Sequence, residues 1–96
     1  MIRHIVFFSA RNKDDIGAIV ESLKRLGEIP HSSVFEVMAN TKADPISGEI
    51  DVVVYGEFES AEALAAYKAH PIYSETTAVV RPLRELRISA DVVSTL

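Results

Sequence analysis

Three side chains able to donate or accept protons lie close together between residues 67 and 73. Tyr67, His70 and Tyr73 fall within about two turns of a helix, and no other stretch of the chain holds such groups at this density. A phenol or an imidazole can move a proton to or from a bound molecule. The spacing therefore indicates either acid–base chemistry or the binding of a polar small molecule.

The elements that must position these groups can be read from the stretch between Tyr55 and Tyr73. Ser60 is a favourable N-cap, and Glu62 places negative charge in the first turn of the helix that would follow. Pro71 disfavours helical geometry at the residue before it, so this helix should end or kink at His70. The stretch thus predicts a strand end, a capped helix and a helix stop.

Two of these candidates have an ordinary structural interpretation. Tyr67 could be a core aromatic residue whose hydroxyl is hydrogen-bonded. The ring of His70 could cap the last carbonyl groups of the helix and interact with its dipole, or it could contact a ligand.

Arg87 is a further candidate from the last predicted strand. Strand alternation places it opposite Leu86 and Ile88, on the same side as Asp91. It could be solvated or lie in a dimer interface, paired with Asp91 or Glu85. If that side is instead a cavity wall, Arg87 would bind a carboxylate or a phosphate with two parallel hydrogen bonds.

Composition excludes several classes of function. The length of 96 residues predicts one domain spanning residues 1–96. The absence of cysteine rules out disulfides and thiolate metal sites, and it fits a cytoplasmic location. A net charge of −4 with scattered basic residues argues against nucleic acid as a partner, and no apolar run is long enough to span a membrane. The histidines lack metal-ligand spacing, and no phosphate-binding loop is present, so we expect no metal and no cofactor.

The apolar pattern predicts strands at residues 2–8, 33–40, 51–58 and 84–93. One helix follows a cap at Asn12 and ends at Ile29-Pro30, a second follows Ser60, and residues 72–80 predict only one or two further helical turns. The order is β-α-β-β-α-β, which is the ferredoxin-like arrangement of the α+β class. Two helices would cover one face of a four-stranded antiparallel sheet.

The strands are apolar on both sides, which one layer of helices cannot cover. In the first strand, for example, Ile5 and Phe7 face away from Val6 and Phe8. A large exposed apolar surface is unusual on a monomer. We therefore expect a homodimer in which the open sheet face packs against a second copy.

The assembled features resemble the stress-responsive α/β barrel (Dabb) family over nearly the whole chain. The matching features are the N-terminal MIRHIVFF strand, Ile29-Pro30, Asp51, Phe58-Glu59-Ser60, Tyr67, His70-Pro71 and Asp91. The resemblance implies a dimeric α/β barrel of ferredoxin-like subunits. It also implies a cavity between sheet and helices, in which His4 would act as a general base or contact a ligand. The alternative interpretation is that His4 is a half-buried core histidine hydrogen-bonded to a neighbour.

A more distant resemblance links the chain to olivetolic acid cyclase, a plant polyketide cyclase of this family, whose motif is Tyr-x-x-His-Pro-x-His. The resemblance implies that Tyr67 could donate a proton to a carbonyl or enolate oxygen. Tyr73 stands where the motif has its last histidine. A phenol with a reference pKa of about 10 thus replaces an imidazole, so the same cyclization is not expected here.

Three hypotheses remain open from the sequence. The first is a dimeric small-molecule binding protein with a cavity near His4, Tyr67 and Tyr73. The second is a cyclase- or lyase-type enzyme that uses His4 and Tyr67 for proton transfer. The third is a structural or interaction module whose cavity is filled by side chains. Whether the protein is an enzyme, and which ligand it takes, the sequence leaves open.

Overall fold

The structure, a computed structural model, describes all 96 residues. Its elements in chain order are β1 (Ile2–Ala10), α1 (Ile16–Lys24), β2 (Val34–Ala39), β3 (Val52–Phe58), α2 (Ala61–Ala69), α3 (Pro71–Val80) and β4 (Arg84–Val93). The four strands form one sheet in the order β2-β3-β1-β4, and every neighbouring pair is antiparallel. This confirms the predicted ferredoxin-like α+β fold, with β1 two residues longer than expected.

The first two helices begin where the sequence predicted. Short 3₁₀ turns at Lys13–Asp15 and Arg25–Glu28 extend α1 at both ends, and the side-chain oxygen of Asn12 accepts a hydrogen bond from the Asp14 amide. The hydroxyl of Ser60 accepts from the amide of Ala63 at 3.1 Å and so caps α2.

Residues 71–80 form a complete helix, so the prediction of one or two turns was too short. Pro71 occupies the first helical turn, where its missing N–H costs nothing, and His70 caps the helix. Thr76 and Val80 are buried against the rest of the molecule. Tertiary packing therefore outweighs the weak helix propensity of this β-branched segment.

The sheet has one covered and one open face. The helix-facing side carries buried residues of the central strands, among them Val6, Phe8, Val52, Val54 and Phe58. On the opposite side Phe7 pairs with Val53 on β3 and with Ile88 on β4. Phe7 remains 39% exposed and Ile88 53% exposed, so a contiguous apolar surface is left uncovered on a single chain.

A buried carboxylate joins three segments at one end of the sheet. The side chain of Asp51 accepts hydrogen bonds from the Ala10 amide at 2.8 Å, the Lys13 ammonium at 2.7 Å and the Lys42 ammonium at 2.6 Å. Burial alone would raise the pKa of Asp51, but these hydrogen bonds outweigh burial and lower its pKa to about 2. Asp51 thus ties β1 and the loop before β3 together.

None of the helices combines the length and the hydrophobicity that crossing a lipid bilayer would require.

Candidate functional site

A cavity of about 300 Å³ opens between the sheet and the helices. Its aliphatic and aromatic wall is built by Val6, Phe8, Leu23, Leu26, Val54 and Val80. Its polar and phenolic lining consists of His4, Tyr67, Tyr73, Thr77, Arg81, Arg84 and Arg87. An apolar enclosure with a few convergent polar groups is the usual form of a small-molecule site.

His4 is held in place by Asp91. The two residues face each other in the β1–β4 register, and Nδ1 of the fully buried imidazole is hydrogen-bonded to the Asp91 carboxylate. The Lys68 ammonium lies 3.5 Å from the other carboxylate oxygen of Asp91. The mid-strand position of His4 and the antiparallel register therefore fix the orientation of the ring.

The protonation states of this pair follow from their surroundings. Burial lowers the pKa of His4, and the nearby Lys68 and Arg87 lower it further, against the opposing effect of Asp91. Burial would raise the pKa of Asp91, but hydrogen bonds from His4 and Lys68 outweigh it, so the net pKa of Asp91 is lowered. At neutral pH the imidazole is uncharged and donates from Nδ1 to an ionised Asp91, which leaves Nε2 able to accept a proton.

Tyr67 forms the centre of an aromatic cluster. Its ring centroid lies 5.0 Å from Phe58, 5.3 Å from Tyr73 and 5.9 Å from His4. Burial raises the pKa of Tyr67, and the neighbouring Tyr73 phenol raises it further. The hydroxyl of Tyr67 therefore stays protonated at neutral pH, where it can form hydrogen bonds but cannot act as an ionised base.

Tyr73 and Arg87 connect this cluster with the charged part of the cavity. The guanidinium of Arg87 donates to the Tyr73 hydroxyl at 3.4 Å, a long hydrogen bond. Strand β4 places Arg87 beside Phe8 on the helix-facing side of the sheet. The polar groups of the cavity thus form a series in which the His4 imidazole neighbours the phenols of Tyr67 and Tyr73, and Tyr73 neighbours the Arg87 guanidinium.

The structure brings together four of the five candidate residues, namely His4, Tyr67, Tyr73 and Arg87. His70 is the exception, because it does not line the cavity. Its backbone is extended at the break between α2 and α3, and Nδ1 accepts a hydrogen bond from the Ile72 amide at 3.1 Å. His70 therefore caps the start of α3, so the prediction that it caps the carbonyl end of α2 was wrong. Its predicted contact with a ligand has no support from the cavity lining.

The interpretation of Arg87 as an ion-pair partner of Asp91 or Glu85 is also wrong. Asp91 pairs with His4 and Lys68, and Glu85 pairs with Arg11 at 3.6 Å. The β4 register places Arg87 on the cavity side, which was the alternative interpretation.

Two cavity residues, Arg81 and Arg84, were missed by sequence reasoning. The strand pattern accounts for Arg84 only as the first residue of the strand predicted at residues 84–93, and Arg81 lies in the connection before that strand. The available signal was that half of the chain's arginines fall within residues 81–87.

A sequence model described as the Stress responsive A/B Barrel Domain (Dabb) matches residues 2–94 of the chain. A comparison with curated proteins finds no significant match.

Several solved structures are similar in fold. A dimeric ferredoxin-like protein of unknown function from Thermobifida fusca shares 22% identity at a TM-score of 0.82, with 97% of this chain and 90% of that chain covered. A second dimeric ferredoxin-like protein, from Jannaschia sp., shares 18% identity at a TM-score of 0.84, with 97% and 98% covered. A Nitrosomonas europaea protein proposed to be an antibiotic biosynthesis monooxygenase shares 21% identity at a TM-score of 0.82 over 100% of both chains. At these identities the likeness establishes the fold alone.

Proposed function

The chain belongs to the stress-responsive A/B barrel (Dabb) family, and on that basis we propose that it is a homodimer that binds a small organic molecule in the cavity between sheet and helices. The observation that carries this proposal is the cavity itself. Its volume of about 300 Å³ lies at the lower end of the range for ligand sites, which suits a molecule of roughly a dozen heavy atoms.

The composition of the lining supports a ligand over a packed core. A cavity without a function in binding is normally filled by side chains or lined by apolar groups alone. Here His4, Tyr67 and Arg87 converge on the same space, where a bound molecule could use all three for hydrogen bonding. This arrangement favours binding over the hypothesis of an interaction module with a filled cavity.

The open sheet face supports the homodimer. Phe7, Val53 and Ile88 form adjacent pairs across three strands on this face, and Val34 and Val92 at its edges are each 44% exposed. Burying such a surface against a second copy would gain the usual hydrophobic free energy. The dimeric solved structures with the same fold give the same expectation.

A thermal-shift screen of small keto acids and aromatic compounds tests the binding proposal. A ligand that binds only the folded protein raises the melting temperature, by an amount set by its concentration relative to Kd. Thr77→Trp fills the cavity from α3 at a half-buried position, so it should abolish the shift. Val79→Trp is the matched control, because Val79 is 55% exposed on the same helix and is not a cavity residue.

The proposal predicts a shift for wild type and Val79→Trp and none for Thr77→Trp. A shift of equal size in all three proteins would place binding outside the cavity and would refute the proposal. No shift from any compound across keto acids, aromatic acids and neutral aromatics would also count against it.

A second candidate function, proton transfer within the same cavity, is favoured by the hydrogen bond between His4 and Asp91. A carboxylate hydrogen-bonded to Nδ1 of an imidazole leaves Nε2 able to act as a base, as in enzymes that use a carboxylate–histidine pair. The protonated hydroxyl of Tyr67 could then stabilise the oxygen of an enolate. A ketone or β-keto acid bound there would lose a proton from the carbon beside its carbonyl group.

Exchange of that hydrogen for deuterium, followed by NMR, tests this second function. His4→Ala should slow exchange by about a hundredfold or more while a folded dimer persists. Exchange that proceeds in the variant at the wild-type rate would eliminate His4 as the base, and the binding proposal would be unaffected.

A further inference from the structure

The cavity holds every positively charged side chain that lacks an acidic partner in the protein. Seven of the ten lysines and arginines form ion pairs: Arg3, Arg11, Lys13, Lys24, Arg25, Lys42 and Lys68. The three that remain are Arg81, Arg84 and Arg87, and all three line the cavity. In a chain with a net charge of −4, this separation of charge is specific to one site.

The lining also contains no aspartate or glutamate. Asp91 lies opposite the cavity residue His4 in the β1–β4 register, but it pairs with His4 and Lys68 and does not line the cavity. A guanidinium cannot lose its proton in a protein, so three charges of one sign persist at the same surface. Such charges attract an anion, and a partly enclosed wall of low polarity strengthens that attraction.

The three cavity arginines come from one short stretch of the chain, where α3 leads into β4. Arg81 is the C-cap residue of α3, Arg84 is the first residue of β4, and Arg87 lies three residues further along that strand. The hydrogen bond from Arg87 to Tyr73 links this stretch to the aromatic cluster. A ligand that spans the cavity would therefore be charged at one end and apolar at the other.

We propose that the ligand class of the cavity is an organic carboxylate of roughly a dozen heavy atoms, whose carboxylate group contacts Arg81, Arg84 and Arg87. The inference rests on the proposed binding function of the same cavity. The apolar body of the ligand lies against Leu26 and Val80, and any carbonyl or hydroxyl group at its far end meets Tyr67 and His4. Paired hydrogen bonds from a guanidinium suit the planar carboxylate geometry.

Isothermal titration with two probes that share one ring system tests the charge requirement. The probes are 2-naphthoate and 2-naphthamide, which differ in charge but hardly in shape. The carboxylate should bind at least about tenfold more tightly than the amide, because a hydrogen bond to a charged group contributes more than one to a neutral group. Raising the salt concentration should weaken binding of the carboxylate only.

Variants identify the groups responsible. Arg87→Gln should weaken binding of 2-naphthoate about tenfold, and the triple variant Arg81→Gln/Arg84→Gln/Arg87→Gln should weaken it further, while 2-naphthamide is unaffected. Arg25→Gln is the matched control, because Arg25 pairs with Glu75 at 3.1 Å and is not a cavity residue. It should bind both probes like wild type.

The possible outcomes separate this inference from the proposed function. If both probes bind equally, and Thr77→Trp abolishes both, the cavity binds small molecules but the preference for an anion is refuted. If 2-naphthoate binds equally to wild type, to the triple arginine variant and to Thr77→Trp, its site lies elsewhere and the inference is overturned. If neither probe binds at millimolar concentration, the inference fails, and only the broader thermal-shift screen bears on the proposed function.

Discussion

Replacement of Asp51 by asparagine should destabilise the protein at neutral pH and flatten its response to acid. The carboxylate is fully buried and accepts three hydrogen bonds, two of them from lysines. Asparagine keeps the shape of the side chain but removes its charge. It would also place a second donor group beside the Ala10 amide or the Lys13 and Lys42 ammonium groups.

The magnitude follows from the pKa of Asp51, which is about 2 in the folded chain against an ordinary value of 3.8. At about 1.4 kcal/mol for each pKa unit, this difference contributes about 2 kcal/mol to the free energy of unfolding at neutral pH. Lys13 and Lys42 are 60% and 38% exposed, so solvent screening makes this figure an upper value. Because the folded pKa is the lower one, the contribution is complete above about pH 4 and is lost as pH falls toward 2.

Urea unfolding of wild type and Asp51→Asn at pH 7 and pH 2.5, at one protein concentration, measures both effects. We expect the variant to lose about 1–2 kcal/mol of unfolding free energy at pH 7 and to differ less from wild type at pH 2.5. Glu49→Gln is the control, since Glu49 is exposed in the adjacent loop and forms no ion pair. If Asp51→Asn matches wild type within about 0.5 kcal/mol at pH 7, the proposed role of Asp51 is wrong.

Three further predictions concern the dimer, His4 and His70. Phe7→Asp on the open sheet face should convert the proposed homodimer to a monomer in sedimentation velocity, whereas Val79→Asp on α3 should not. A dimeric Phe7→Asp protein would contradict the proposed interface. An NMR titration of His4 should give a midpoint below 6.5, because burial, Lys68 and Arg87 disfavour its charged form. Its neutral form therefore stabilises the fold above pH 6.5, and this contribution is lost as pH falls through the lowered pKa; a midpoint at or above 6.5 would contradict the assignment. His70→Ala should lower the free energy of unfolding measured in urea by about 1 kcal/mol, because it removes the cap of α3, and it should leave ligand affinity unchanged. A large loss of affinity would show that His70 contributes to the site.

The fold was largely predictable because it depends on local patterns. Alternating apolar residues gave the four strands, and Asn12 and Ser60 gave the starts of two helices. The length of α3 was not predictable in this way, since Thr76, Thr77 and Val80 have low helix propensity and are held by packing.

The candidate site was only partly predictable, because its groups meet through long-range pairing. His4, Tyr67 and Tyr73 could be chosen from the sequence, but the contact between His4 and Asp91 depends on the β1–β4 register. Arg81 and Arg84 follow α3, so their place at the cavity depends on the full length of that helix. Two of the three partners of Asp51 likewise come from a distant part of the sequence, since Ala10 and Lys13 lie 41 and 38 residues before it.

A crystal structure of the protein grown with the tightest-binding compound of the thermal-shift screen tests the central claim most directly. The account predicts electron density for that compound between the sheet and α3, within hydrogen-bonding distance of Tyr67 or His4 and beside Leu26. A cavity closed by its own side chains, with the compound bound at another surface, would contradict it.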